Sequence, residues 1–280
     1  MEPAGSEVWT EVGAGVFVRR HRSFDLNVGL VVAGDRALVV DTRGSERQGH
    51  ELLAAVRAVA PARTALTVVN THAHFDHFFG NAAFRPAPMW ACTRCAEVAV
   101  RDGALQREAM TAAARQAGKD EAADDIAATT IVAPDHTFDL EHVLDVGGRG
   151  VTFTFLGRAH TDNDVVVTVP DASVVFAGDL VEEGAPPSYY DAYPLDWPAT
   201  AERLATIAAT ADAVVPGHGA VVDVGFVRRQ QAEIAALADL ASAGYAAGEP
   251  LEAVVSSAPF GEVMSKVALE RAYAQLAGTL

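Results

Sequence analysis

Cysteine is nearly absent from this chain of 280 residues, which has only Cys92 and Cys95. Two thiols cannot build a disulfide framework, so a cytoplasmic protein is the expectation. Positive charge is also short. There are 21 Lys and Arg against 37 Asp and Glu, for a formal net charge of −16, and no Lys/Arg-rich run occurs. Phosphate backbones need a basic footprint, so a nucleic-acid partner is disfavoured, as is an anionic membrane surface. The apolar stretches are strand-length or Ala-rich, too short or too polar to span a bilayer. The acidic first residues, Met1 to Glu7, lack the apolar segment of a signal peptide, and none is expected.

What is present is apolar material for a sizeable core, with half of the residues hydrophobic. Strands are predicted over 8–12, 16–19, 27–32 and 37–41, the last two joined by a Gly34-Asp35 turn. A helix over 45–60 has Ser45 as its cap and Pro61 as its stop, and a strand over 66–69 follows. The Ala-rich, charged stretch over 92–130, broken at Gly118, reads as a helical surface insertion or lid. Strands resume over 137–140, 142–146, 151–156, 164–169 and 173–177. A helix over 198–209 and a strand over 213–215 come next, and amphipathic helices over 226–247 and 261–277 close the chain. Two successive halves of strands followed by helix suggest an α/β architecture, an αββα sandwich of two packed sheets flanked by helices.

Chemistry concentrates in Asn70-Thr71-His72-Ala73-His74-Phe75-Asp76-His77, directly after an apolar strand. Imidazole and carboxylate at this density suit a divalent transition metal. His72, His74 and Asp76 alternate by two, a spacing of extended chain rather than helix. The adjacent Asp76-His77 pair is then better placed for a neighbouring ion, which points to two metals. Three further candidates follow apolar strands: His160 after Leu156-Gly157, Asp179 in Ala177-Gly178-Asp179, and His218 in Pro216-Gly217-His218-Gly219. Strand C-termini are where ligand sites gather in α/β sheets.

In order and context these motifs resemble the metallo-β-lactamase superfamily, over roughly residues 8–222. The resemblance implies a metallo-β-lactamase-like domain over 1–222, with the insertion at about 92–130, and a C-terminal helical extension over 223–280. It further implies one metal on His72, His74 and His160, a second on Asp76, His77 and His218, and Asp179 bridging the two. Asp41, after Leu38-Val39-Val40, stands where the family has an acid that fixes a ligand imidazole. Two Zn2+ per chain are expected, with Fe or Mn as substitutes that a carboxylate-bearing set allows.

Such a site implies a dinuclear hydrolase that uses a metal-bridging hydroxide on an ester, thioester or lactone-type carbonyl of a small molecule, with Asp76 orienting the hydroxide. Asp at position 179 resembles glyoxalase II and the lactonases, whereas one major group of zinc β-lactamases has Cys there. Two alternatives stay open: a mononuclear iron persulfide dioxygenase on His72, His74 and His160, and a β-lactam hydrolase. The segment 183–193 should lie near the mouth, where Tyr189, Tyr190 or Tyr193 offers an oxyanion donor. Arg228 and Arg229 are candidate anchors for an anionic substrate, and Cys92-Thr93-Arg94-Cys95 is a candidate redox pair. The oligomeric state is open.

Overall fold

The computed structural model describes residues 7–60 and 64–280. Its first sheet has seven strands in the order β1 (Thr10–Gly13), β2 (Val16–Arg20), β3 (Asn27–Ala33), β4 (Arg36–Val40), β5 (Ala65–Val69), β6 (Met89–Cys92) and β7 (His136–Phe138). The first four are antiparallel neighbours, and the pairings from β4 to β7 are parallel. The second sheet holds β8 (Glu141–Val146), β9 (Arg149–Phe155), β10 (Val165–Val169), β11 (Val174–Glu182) and β12 (Ala213–His218), in reverse chain order across the sheet. Only its β11–β12 pairing is parallel.

Strand alternation assigns each face. Val31, Leu38, Val40 and Val69 point inward to meet Phe153, Val165, Val167 and Phe176 of the other sheet. Their neighbours Leu30, Val39 and Val68 point outward onto α1 (Glu46–Val59), which presents Leu52 and Val56 at helical spacing. The second sheet's outer face is covered by α5 (Trp197–Ile207), α6 (Val224–Ala247) and α8 (Gly261–Leu276), through Leu204, Ile234, Leu237 and Ala268. The central strands of both sheets are therefore buried on both faces, which is why they read as continuous apolar runs, whereas edge strands such as β8 keep an exposed face. Helix α1 starts where expected, with Ser45 Oγ accepting from Gln48 N.

Some expectations need correction. Strand β6 and the short helix α7 (Leu251–Val255) carry too few residues for their pattern to have been legible. The Ala-rich stretch forms α3 (Thr93–Gln116) and α4 (Asp120–Ala127), and it is not wholly surface. Cys92, Cys95, Ala99 and Ile126 sit in the core between the sheets, because small side chains let α3 approach closely. Burial pushes the Cys92 thiol up to about 12 and Cys95 well above the usual thiol range, so neither is a thiolate at neutral pH and the redox reading loses its chemistry. Among the described residues, no helix is long and apolar enough to cross a membrane.

Candidate metal centre

All seven sequence-derived donors converge at one rim of the sandwich. Two groups form, His72, His74, His160 and Asp179, and Asp76, His77 and His218, each with donor atoms within 4.8 Å of one another. The period-two reading holds only as far as His74, which keeps an extended backbone (φ −88°, ψ 146°). There the chain turns into the single-turn helix α2 (Phe75–Phe78), so Asp76 and His77 sit on helical rather than extended backbone. The loop is locked from beneath. Asn70 Nδ2 donates to the His77 carbonyl at 3.0 Å, and Asn81 Nδ2 donates to Asn70 Oδ1 at 2.8 Å.

Asp179 lies within β11, which runs on to Glu182 rather than ending at the expected Ala177. The pairing with β12 slips between Gly178 and Glu182, and this irregularity delivers the carboxylate to the rim. Gly217 on the adjacent strand leaves it room. A Cβ there would stand 1.7 Å from Asp179 Oδ1, so no other residue fits without displacing the carboxylate.

Each imidazole is oriented by the nitrogen that faces away from the centre. His72 Nδ1 lies 3.1 Å from Thr71 Oγ1, His160 Nδ1 lies 3.1 Å from the Ser188 carbonyl, and His74 Nε2 lies 2.8 Å from Asp191 Oδ2. His77 Nδ1 meets Asp41 Oδ2 at 2.9 Å, and His218 Nδ1 meets the Phe24 carbonyl at 2.7 Å. Asp41 therefore meets the outer nitrogen of a candidate ligand. It also accepts from Thr71 N and Thr71 Oγ1, each at 2.8 Å, from a backbone strained to φ 66°. Asp191 is not marked by the sequence of that loop, whose tyrosines are its apparent candidates. An acid four residues past the Pro186-Pro187 pair gives no local signal.

The inward atoms fit a metal pair. His72 Nε2, His77 Nε2 and Asp179 Oδ1 are buried with no hydrogen-bond partner, a costly arrangement unless something else is held there. Asp179 Oδ2 stands 3.6, 3.4 and 3.3 Å from the Nε2 atoms of His72, His160 and His218, and Oδ1 stands 3.3 Å from His77 Nε2. A tetrahedral ion with ligand bonds of about 2.0–2.1 Å has donor-to-donor edges of about 3.3 Å. Burial would raise Asp179, but His218, His77 and His72 hold it well below the usual carboxylate range. Burial lowers His160 to about 4 and keeps it a neutral donor, the form a metal requires.

The cleft above the rim encloses about 810 Å³. Beyond the donors its charged lining residues are Asp25, Asp102, Glu182, Glu183 and Asp191, of which Asp25 and Asp102 are paired with Arg20 and Arg101, and no Lys or Arg is among the described lining residues. Arg228 and Arg229, the expected anion anchors, are exposed on α6 away from the cleft. Tyr189 is fully buried beside Trp197 and Phe260, Tyr193 stacks under Arg158, and only Tyr190 reaches the cleft. Arg271 of α8 donates to the carbonyls of Ala192 and Tyr190, at 2.5 and 3.2 Å, and so braces the loop that carries Asp191.

Residues 24–218 match the family model of the metallo-beta-lactamase superfamily. The chain is similar to the metallo-beta-lactamase type 2 of Bacillus sp. (strain 170), 27% identical over 203 residues, which cover 71% of this chain and 69% of that protein. The metallo-beta-lactamase type 2 of Bacillus cereus is 26% identical over the same shares. Among solved structures, the metallo-beta-lactamase from Pontibacter korlensis superposes with a TM-score of 0.63 at 21% identity, over 81% of this chain and 97% of that one. A double mutant of the sec-alkyl sulfatase PisA1 superposes with a TM-score of 0.79 at 17% identity, over 97% of this chain and 50% of that one.

Proposed function

Since the chain belongs to the metallo-beta-lactamase superfamily and is a metal-dependent hydrolase of it, we propose that it cleaves an ester, thioester or lactone-type carbonyl of an uncharged or cationic small molecule at a dinuclear centre. In this reading His72, His74 and His160 hold one ion, Asp76, His77 and His218 hold the other, and Asp179 is shared. The observation that carries it is the position of Asp179, whose two oxygens lie 3.3 to 3.6 Å from donors of both groups. Zinc suits the imidazole-rich set, with iron or manganese as substitutes.

Ions bound there would supply Lewis-acid polarisation and a water acidified enough to be hydroxide at neutral pH. The chain's own part is orientation. Asp76 Oδ2 is 3.6 Å from His218 Nε2 and faces the cleft, where it accepts a hydrogen bond from the attacking water and aims its lone pair. Asp179 neutralises part of the charge between the two groups. Asp191 and Asp41 keep His74 and His77 in the tautomer that offers the inward nitrogen.

Charge narrows the substrate. An anion entering the cleft meets the carboxylate of Glu183, and none of the described residues lining the cleft is Lys or Arg. This weighs against anionic glutathione thioesters, and against β-lactams, whose ring carboxylate needs a partner, although the relatives just described bear the name of β-lactamases. The mononuclear dioxygenase alternative leaves Asp76, His77 and His218 without a use.

The test is a matched panel on metal-loaded protein: phenyl ester, thioester, γ-lactone and β-lactam, each in a neutral and a carboxylate-bearing form, with oxygen uptake on a persulfide as a further arm. Hydrolysis of neutral carbonyl substrates over their carboxylate twins, with two metals by elemental analysis, is expected. A β-lactam preference, or oxygen uptake without hydrolysis, would overturn the reading.

A further inference from the structure

Beside the metal cleft lies a second cavity of about 450 Å³, between the start of α1, the far half of α3, α4 and the turn over 22–24. Its size is that of a small-ligand site. Its lining is mostly apolar. Met110, Ala113 and Ala114 of α3 and Ala117 at its C-cap form one stripe at helical spacing, and Ile126 of α4 also lines the cavity. Arg22, Lys119 and Asp125 are the charged residues at its edge, and Asp125 is already paired with Arg47.

Three residues belong to both spaces: Phe24, Phe75 and Met110. Phe24 and Phe75 meet edge to face, with ring centroids 5.2 Å apart, so the two spaces share an aromatic wall rather than a polar one. Phe75 is next to the candidate donors His74 and Asp76. Phe24 is tied to a third, because its carbonyl accepts from His218 Nδ1 at 2.7 Å. The ring itself is 53% exposed, on a backbone held at φ 62°, a conformation that L residues other than Gly, Asn and Asp seldom adopt. A strained turn that fixes a candidate metal ligand with its backbone therefore also presents a large apolar side chain between the metal cleft and the cavity.

We propose that this cavity is a substrate subsite that takes a medium-length acyl chain attached to the scissile carbonyl. The inference rests on the hydrolase reading above and specifies its substrate class. With the carbonyl at the metal rim, a chain leaving it across Phe75 and Met110 enters the cavity without crossing the carboxylates of the cleft. The lining shared with the metal cleft sets this occupant apart from a peptide or a second copy of the chain, neither of which needs a wall in common with the reacting centre. Burying a methylene is worth about a threefold to fourfold gain in binding when it is fully removed from water.

The experiment is an acyl series of phenyl esters from acetyl to decanoyl, run on metal-loaded wild-type protein and on Ala113→Trp. That position is exposed on the helix and the indole fills the cavity. In parallel, 1-octanol is titrated into methyl-labelled protein and the Met110 and Ile126 methyl resonances are followed, a readout that needs no turnover. In wild type, kcat/KM should rise about threefold per methylene until the cavity is full, and the gradient should flatten in Ala113→Trp. Octanol should move both methyl signals in wild type only. Hydrolysis with no chain-length gradient, or a gradient that Ala113→Trp leaves intact, overturns the subsite. If no ester is cleaved yet octanol still moves the two methyls, the subsite stands and the bond assignment fails. Methyl signals that respond to dissociation of a dimer, and not to octanol, would give the cavity to a second copy and overturn the proposal.

Discussion

The two donor groups differ in what stands behind them. His72, His74 and His160 lean on Thr71, Asp191 and the Ser188 carbonyl, within loops that are cross-linked to each other: Asn163 Oδ1 accepts from Ala73 N at 2.9 Å and so ties the His160 loop to the His72–His74 loop. In the second group His77 is as firmly set, by fully buried Asp41. His218, however, depends on one carbonyl of the strained turn at Phe24 and is itself partly exposed. One group is thus tied across two loops, although His74 rests on the half-exposed Asp191, and the other is finished by a single strained turn. The second group should be the weaker holder of an ion and the first to fail.

The largest effect should come from removing the carboxylate common to both groups. Asp179→Ala is expected to reduce turnover by at least about a hundredfold, the upper end of what even outer partners cost. It should cut metal content mainly at the second group, read by elemental analysis. One tightly bound ion together with near-wild-type rates in this variant would remove the dinuclear model.

Next come the acids behind each group. Asp41→Asn can keep an oxygen on Thr71 N, but its NH2 then faces His77 Nδ1, a donor facing a donor, and the charge beside His77 is lost. A roughly hundredfold loss of metal affinity is expected, with lower stability. Asp191→Asn acts at a half-open edge, and about a tenfold loss confined to the first group is expected. Equal losses from the two variants in metal titrations would erase the distinction between a buried and an exposed brace.

How much of this was legible in the chain follows the same division. The seven side chains that cluster at the rim were readable because they are of rare residue types, and their placement after apolar strands survives in a single sequence. The two packed sheets were readable because strands buried on both faces have no polar alternation to obscure them. The braces were not. Asp191 and the Phe24 carbonyl come 117 and 194 residues away from the imidazoles they hold. A backbone carbonyl has no residue type by which to announce itself. Helix α3 misled for another reason, since alanine is equally at home on a wet face and in a tight helix-to-core contact.

Acid should strike the second group first, through a residue that no chemistry claimed. His21 opens the turn, its N–H donating to the Leu26 carbonyl at 2.7 Å, and its ring is buried with both nitrogens unpartnered. Burial first, then Arg43 and Arg19, lower it to about 3. The unfolded chain takes up this proton near pH 6.5 and the folded one only near pH 3. The ring's contribution to stability is therefore full above about pH 6.5 and declines as pH falls towards 3, by about 1.4 kcal/mol per pH unit. His21→Leu should flatten that part of the stability-against-pH curve in denaturant titrations. A slope identical to wild type would mean that the ring finds a partner the turn does not show.

The smallest effect should come from the outer pin of the same turn. Arg20 Nε and Asp25 Oδ1 stand 2.5 Å apart, with side chains 29% and 44% exposed. An ion pair so open to water is worth less than about 1 kcal/mol, so Arg20→Ala should barely move the unfolding midpoint. Its position gives it a second role. Asp25 follows Phe24, and the Asp25 carbonyl accepts from Gly219 N at 3.0 Å, one residue past His218. Loosening this pin should let the Phe24 carbonyl drift from His218 Nδ1 and weaken the second ion severalfold while leaving the first unchanged. Because an exposed pair is screened, the wild-type advantage should also shrink between low and high salt. Sequential metal titrations of Arg20→Ala at two ionic strengths read both effects. A loss shared equally by the two ions, or one indifferent to salt, would show that the turn does not set the second group apart.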